Sequence, residues 1–461
     1  MTRHAELAEI QLPDFGMPTF EPEIPAEVYR HRLFTFSGDV SMDHDFVLVY
    51  ADREHFANMA YLTGYDPRFE EALLIINTMD SSKKPLLVVG NEGISYVSIS
   101  PIKDDLEVIL YQPFSLMGQP RGGRSLRNIF ESIGIKGKNV AVVGWKYEEE
   151  NYDSNIVVPA YIADLLRDFD LNPSLFNATG FLMAEDGLRI INEVEQLARF
   201  EFAACFTSQA LRNVLFGLQP DMTEFEAVQL MGLNGLPLSC HLMLSAGPRA
   251  FMGLPSPSMR KIARGEPFTM AYGVWGALNA RAGWVVESAT ELPVNIQDYV
   301  EKLVKPYFEA IVAWYEHIGI GVTGGELYDI IHDRIGDPFF GVTLNPGHYI
   351  HLDEWIHSPI YKGSGIKLKS GMALQADVIP ATGTPYFTTN IEDGIALADE
   401  NLRQVFATKY PEAWRRIQAR RDFMENALGI HLKPEVLPFS NIPAYLPPFL
   451  LSPRHTMRMV D

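Results

Sequence analysis

The chain has 461 residues, 47% of them hydrophobic and 21% charged, with a formal net charge of −20. That composition describes a globular protein with more mass than one ordinary core holds, so two domains are expected. The acidic balance argues against nucleic acid or an anionic membrane as a partner, because both would repel it.

Residues up to about Pro25 are proline-rich and read as an arm lying on the body or on a partner subunit. Asp45 to Tyr50, Ala72 to Ile76, Pro85 to Val89 and Val140 to Gly144 are short apolar runs bounded by turn residues, the pattern of strands. Leu126 to Ile133 and Pro159 to Phe169 read as helices, which makes residues 1–180 an α/β domain. A long helix is predicted from about Ala184 to Leu215, with Ile190, Val194, Leu197, Ala198 and Phe202 at helical spacing. A second domain of α+β type is expected over residues 181–430. Two of its helices open alike, with Thr223 and Thr323 placed to cap and Glu226 and Glu326 in the first turn. This echo suggests a pseudo-symmetric domain. Residues 431–461 are rich in proline yet apolar, an extension expected to dock on the surface or across a dimer interface.

The two cysteines, Cys205 and Cys240, form neither a CxxC pair nor a dense framework, which suits a reducing, cytoplasmic setting. No run is long enough to span a bilayer.

The chemistry-bearing stretch is Gly347-His348-Tyr349-Ile350-His351-Leu352-Asp353-Glu354-Trp355, followed at wide spacing by Asp377 and Glu392. Both acids sit inside apolar strand-like runs, where a lone polar side chain projects into a cavity. A buried carboxylate needs a cation, a metal or several donors, or else takes a raised pKa and serves as an acid or base. One histidine and two carboxylates suit Mn, Fe, Co or Zn. His357 is a further candidate acid or base, with a surface role as its equal. His351 would share the face of His348 only if the strand bulged, so it ranks second as a pocket residue beside Trp355. Arg68 has the planar fork that clasps a carboxylate, although a salt bridge to its acidic neighbours is the simpler reading.

These motifs carry a resemblance. Asn58-Met59-Ala60-Tyr61-Leu62-Thr63-Gly64-Tyr65, the helix entry around Ile190 and Glu193, the two capped helices, Gly347-His348, Gly371-Met372 before Asp377, and Ile391-Glu392-Asp393 resemble the creatinase/aminopeptidase P group of the pita-bread family. The likeness runs from about Val28 to Gly429. It implies an α/β N-terminal domain beside an α+β pita-bread C-terminal domain, usually in a homodimer, and a hydrolase acting on a C–N bond of a small amino-acid-like or zwitterionic substrate. In creatinase-like dimers an arginine at the position of Arg68 enters the neighbouring pocket.

Metal-dependent members of that group hold two ions with two aspartates, a histidine and two glutamates. Carried onto this chain, the first aspartate position is Ala271, the second Glu287, the histidine His348, and the glutamates Asp377 and Glu392. Loss of the carboxylate at Ala271 leaves Glu287, His348, Asp377 and Glu392 to hold a single divalent ion, or the site works with no cofactor, as in the creatinase branch. The family's proton-relaying histidine matches Leu254, which cannot move a proton. Asp353-Glu354-Trp355 resembles a segment of the dimethylsulfoniopropionate lyase branch over three residues only, and no role follows from it. Three readings stay open: a metal-free creatinase-like hydrolase, an Xaa-Pro-aminopeptidase-like hydrolase with one metal, and a non-catalytic binding protein.

Overall fold

A computed structural model describes residues 3–118, 120–147, 155–169, 175–251, 253–354 and 356–461. The chain forms two compact units, one of Glu23–Ile190 and a larger one of Met1–Pro22 with Ile191–Asp461. Both ends of the chain therefore belong to the larger unit. Within it the N-terminal strand His4–Glu9 (β1) pairs antiparallel with the last strand of the chain, His455–Val460.

The smaller unit is built on a six-stranded sheet of Phe46–Ala51 (β2), Ala72–Asn77 (β3), Leu86–Val89 (β4), Glu107–Leu110 (β5), Val140–Val143 (β6) and Leu175–Asn177 (β7). Its order is β5-β4-β3-β2-β6-β7, with β2, β3 and β4 antiparallel and the outer pairs parallel. The four apolar runs read from the sequence are β2, β3, β4 and β6, while β5 and β7 at the two edges of the sheet are additions to that reading. Leu48, Leu73, Ile75 and Val142 meet Ile129, Phe130 and Ile162 from the helices Leu126–Ile133 and Ala160–Arg167 in one core.

The larger unit carries a sheet of Met243–Ala246 (β8), Pro267–Val274 (β9), Ala277–Trp284 (β10), His348–Tyr349 (β11), Ala373–Asp377 (β12) and Asn390–Leu397 (β13). Its order is β11-β12-β13-β10-β9-β8, antiparallel throughout, with Val436–Pro438 (β14) paired to β13 and His455–Val460 forming β15. Thr207 from the helix Val194–Gly217 bonds to Asn279 on β10, and Tyr307 from the helix Lys305–His317 accepts from the Ile391 N–H on β13. The predicted long helix runs Val194–Gly217, starting about ten residues later than the periodicity suggests. The reason is local: Asn192 donates from its backbone and side-chain nitrogens to the Gly371 carbonyl, holding that segment in an irregular turn.

The two capped helices are Glu224–Leu230 and Gly324–Ile335, each with a complete capping box, Thr223 with Glu226 and Thr323 with Glu326. Each capping threonine also makes a lone antiparallel bridge, to Lys261 and to Lys367 respectively. The echo seen in the sequence thus extends to the flanking loops. The Pro-rich extension is buried from Val436 to Leu450, deeper than the surface docking expected of it. Arg281 on β10 donates to the carbonyls of Ile442 and Tyr445 and pairs with Asp393, which also accepts from the Ala444 N–H. Among the described residues no helix is long and apolar enough to cross a membrane.

Candidate active site

Directly opposed residues of an antiparallel sheet share a face, so one row across the sheet can be read from its register. Asp377 opposes Glu392, Glu392 opposes Ala280, Ala280 opposes Ala271, and Ala271 opposes Met243. His348 opposes Gln375, two residues from Asp377 and so on the same face. That face floors a cavity of about 530 Å³ lined by His348, Glu354, Asp377, Asn390 and Glu392, with apolar walls that include Met243 and Leu254.

His348 is held by its surroundings. Gly347, at φ +121°, has no room for a side chain, since a Cβ would meet the Gln375 carbonyl at 2.7 Å. Ser358 donates to the Gly347 carbonyl and the Trp314 indole to that of Pro346. His348 Nδ1 lies 2.9 Å from the Tyr349 carbonyl oxygen and so carries the proton of that hydrogen bond. Nε2 faces the acids, 3.3 Å from Glu354 and 3.8 Å from Asp377. Burial alone would lower the imidazole pKa, but Glu354, joined by Asp377, raises it to about 9. Burial raises Asp377 to about 6 against the pull of His348. Glu392 rises well above the ordinary carboxylate value, through burial first and the charges of Asp377 and Glu354 second.

Three of the site residues named from the sequence, His348, Asp377 and Glu392, therefore meet. Others do not. Glu287 lies beyond the end of β10, 58% exposed and paired with Arg264 at 2.7 Å, so it is no ligand of this site. The position that faces the acids from β10 is Ala280. The hairpin is the cause: β9 and β10 join through only Trp275-Gly276, and this short turn fixes a register that motif spacing does not reveal. His351 is buried against the Phe200 ring, 5.2 Å between centroids, and is not among the lining residues. His357 packs its ring edge-on to Tyr349, which faces away from His348, and is likewise absent from the lining. Arg68, in the smaller unit, makes a bidentate ion pair with its acidic neighbour Asp66. Trp355 lies outside the described residues. Leu254 does line the cavity, and its carbonyl oxygen is 2.8 Å from His241 Nε2.

Glu354 is the residue the sequence reading passed over. The strand β11 ends after two residues and the chain bends through 351–354, which brings Glu354 back to His348. Gln375 and Asn390 were missed as well. Gln375 donates to the Leu278 carbonyl and approaches Glu392 at 3.4 Å, while Asn390 opposes Ala282 beside the acids.

His348, Glu354 and Glu392 each offer a ligand atom within 4.8 Å of the others, and Asp377 Oδ1 is buried with no hydrogen-bond partner among the described residues. That donor set fits one divalent ion. It does not fit two, because Ala271 and Ala280 offer nothing from the other half of the row.

No family model and no curated protein matches the sequence. Solved structures do. The prolidase from Thermococcus sibiricus superposes with a TM-score of 0.62 at 18% identity, covering 81% of this chain and 95% of that one. The Xaa-Pro dipeptidase from Bacillus anthracis gives 0.60 at 16% identity over 81% and 96%. A putative aminopeptidase P from Bacillus anthracis gives 0.58 at 14% identity over 85% and 99%. At such identities the likeness speaks for the fold. The chain accordingly has the fold of the prolidases and aminopeptidases P, the pita-bread architecture that its motifs resemble.

Proposed function

We propose that the chain is a hydrolase that cleaves a C–N bond of a small amino-acid-like compound in the cavity of His348, Glu354, Asp377 and Glu392. The observation that carries this reading is the convergence of one imidazole and three carboxylates on one wall of a cavity whose remaining walls are largely apolar. In such a site a carboxylate takes a proton from water as the oxygen bonds to the substrate carbon. The C–N bond then breaks, and the leaving nitrogen takes the proton from His348 Nε2. The Nδ1 hydrogen bond to Tyr349 keeps the imidazole aimed at the acids during this exchange. The acids in turn favour a substrate with a cationic end.

A second reading is supported by the spacing of the donor atoms. His348, Glu354 and Glu392, with Asp377 beside them, would hold one divalent ion of the Mn, Fe, Co or Zn type. Such an ion supplies Lewis acidity at neutral pH. We carry into the proposal a homodimer in which each subunit's Arg68, once released from Asp66, holds a substrate carboxylate in the neighbouring subunit's cavity. Sedimentation velocity and the KM of Arg68→Ala test that part.

The deciding experiment is metal analysis of gently purified protein, with turnover of guanidino, amide and Xaa-Pro compounds before and after chelation. Turnover that survives chelation supports the metal-free hydrolase. One equivalent of metal, lost together with turnover, supports the second reading. No turnover of any of these compounds would overturn both.

A further inference from the structure

The row across the floor of the cavity is divided. Its charged groups stand on β11, β12, β13 and the bend after β11, whereas β10, β9 and β8 present Ala280, Ala271 and Met243. Arg281 also borders the cavity, but its guanidinium is committed to Asp393 on the opposite face of the sheet. Strands lie about 4.8 Å apart, so the methyl-lined half extends roughly 10 Å from Glu392 to Ala271 and about 14 Å to Met243. Thr269, on the same face of β9, also lines the cavity, but its hydroxyl is engaged with that of Ser245 at 3.1 Å, so a polar group laid along this half would lose water for few partners, while an alkyl group would gain from burial. The charged half has the opposite need. Asp377 Oδ1 and Asn390 Oδ1 are buried acceptors with no hydrogen-bond partner among the described residues, and the N–H donors of a ligand would satisfy them.

We propose that the site selects an alkylammonium or alkylguanidinium type of cation, its charged head among Glu354, Asp377 and Glu392 and its apolar substituent lying along Ala280, Ala271 and Met243. The inference rests on the cavity being a substrate site and adds the substrate's apolar half to that reading. Ala271 and Ala280 then set specificity by leaving the floor shallow and uncharged.

The test is calorimetric titration of the full chain, as purified, with methyl-, butyl- and hexylammonium, the matching alkylguanidinium ions, hexanol and hexanoate. Affinity is expected to rise about threefold to fourfold per methylene from methyl to butyl, with hexanoate not binding and hexanol at least tenfold weaker than hexylammonium. Ala271→Asp is expected to flatten the chain-length series. Because a buried aspartate can prevent folding, Ala271→Val serves as a second variant, expected to weaken hexyl compounds relative to methyl ones. Affinity independent of chain length, or hexanol binding as well as hexylammonium, would overturn the proposal. Chain-length-dependent binding without hydrolysis of any C–N compound would keep this ligand class and remove the hydrolase reading. Hydrolysis indifferent to the apolar substituent would do the reverse.

Discussion

Two clusters of charge are buried in the larger unit, and they answer burial in opposite ways. Glu201, on the helix Val194–Gly217, accepts from Arg416 at 2.9 and 2.6 Å and from Arg420 at 2.8 Å, and Arg420 continues to the Asn441 side chain at 2.7 Å. Burial would raise the Glu201 pKa, but Arg420 and Arg416 hold it below the ordinary carboxylate value. In the cavity, three carboxylates share one imidazole, and Asp377 and Glu392 are pushed up instead. The acids of both regions are largely buried. The difference is that one network is complete within the chain, while the other has more acid than its own residues neutralise. The complete network serves the fold, and the incomplete one is where the proposed substrate or ion would sit.

The contrast breaks first at Glu201. Glu201→Ala leaves two buried guanidinium groups uncompensated and is expected to cost about 3–5 kcal/mol, read from urea unfolding. A loss under about 1 kcal/mol would mean that the network does not hold the helices together. Glu392→Gln should behave in the contrary sense. Removing a buried acid with too few partners is expected to leave the melting temperature unchanged or higher, while turnover falls at least about 100-fold. If stability and turnover fell together, the acid would belong to the scaffold and the distinction between the clusters would fail.

Titration sharpens the same comparison, most cleanly in chelated protein. Glu201 binds its proton less tightly folded than unfolded, so its contribution is present above about pH 4.5 and is lost as the pH falls through its lowered folded value. His348 and Asp377 have the reverse sign. The folded state holds their protons more tightly, so stability declines as the pH rises from 3.8 to about 6 for Asp377 and from 6.5 to about 9 for His348. Urea unfolding at stepped pH is expected to show a downward slope between pH 6.5 and 9 in the wild type that flattens in His348→Gln. An unchanged slope in the variant would assign it to other groups.

The parts of this molecule legible in its sequence are those decided within a few residues. The strands of the smaller unit follow from short apolar runs, and the two capping boxes from Thr-x-x-Glu. Asp377 and Glu392 stand out because each is polar within apolar strand sequence, and His348 because its imidazole follows a glycine. What stayed hidden depends on contacts distant along the chain. The pairing of β1 with β15 joins the two ends of the chain. Glu354 joins His348 only because the backbone bends at 351–354, and Asp353-Glu354-Trp355 offered no periodicity to announce it. The late start of the long helix follows from Asn192 bonding to Gly371 across nearly 180 residues.

Glu287 shows the same limit and supplies the smallest expected effect. The family resemblance makes it a ligand, yet sheet register gives the facing position to Ala280, and the Glu287 carboxylate pairs with Arg264 in solvent. An exposed pair of this kind contributes little, because water already solvates both charges. Glu287→Ala is therefore expected to move the melting temperature by no more than about 1–2 °C and to leave metal content and turnover as they are. The paired measurement is Glu354→Gln, which should lower both turnover and the uptake of one equivalent of Mn, since Glu354 stands beside His348 where Glu287 does not. Should Glu287→Ala lose turnover while Glu354→Gln keeps it, the row from Asp377 to Met243 would be in the wrong register, and with it the division of the cavity into a charged and an apolar half.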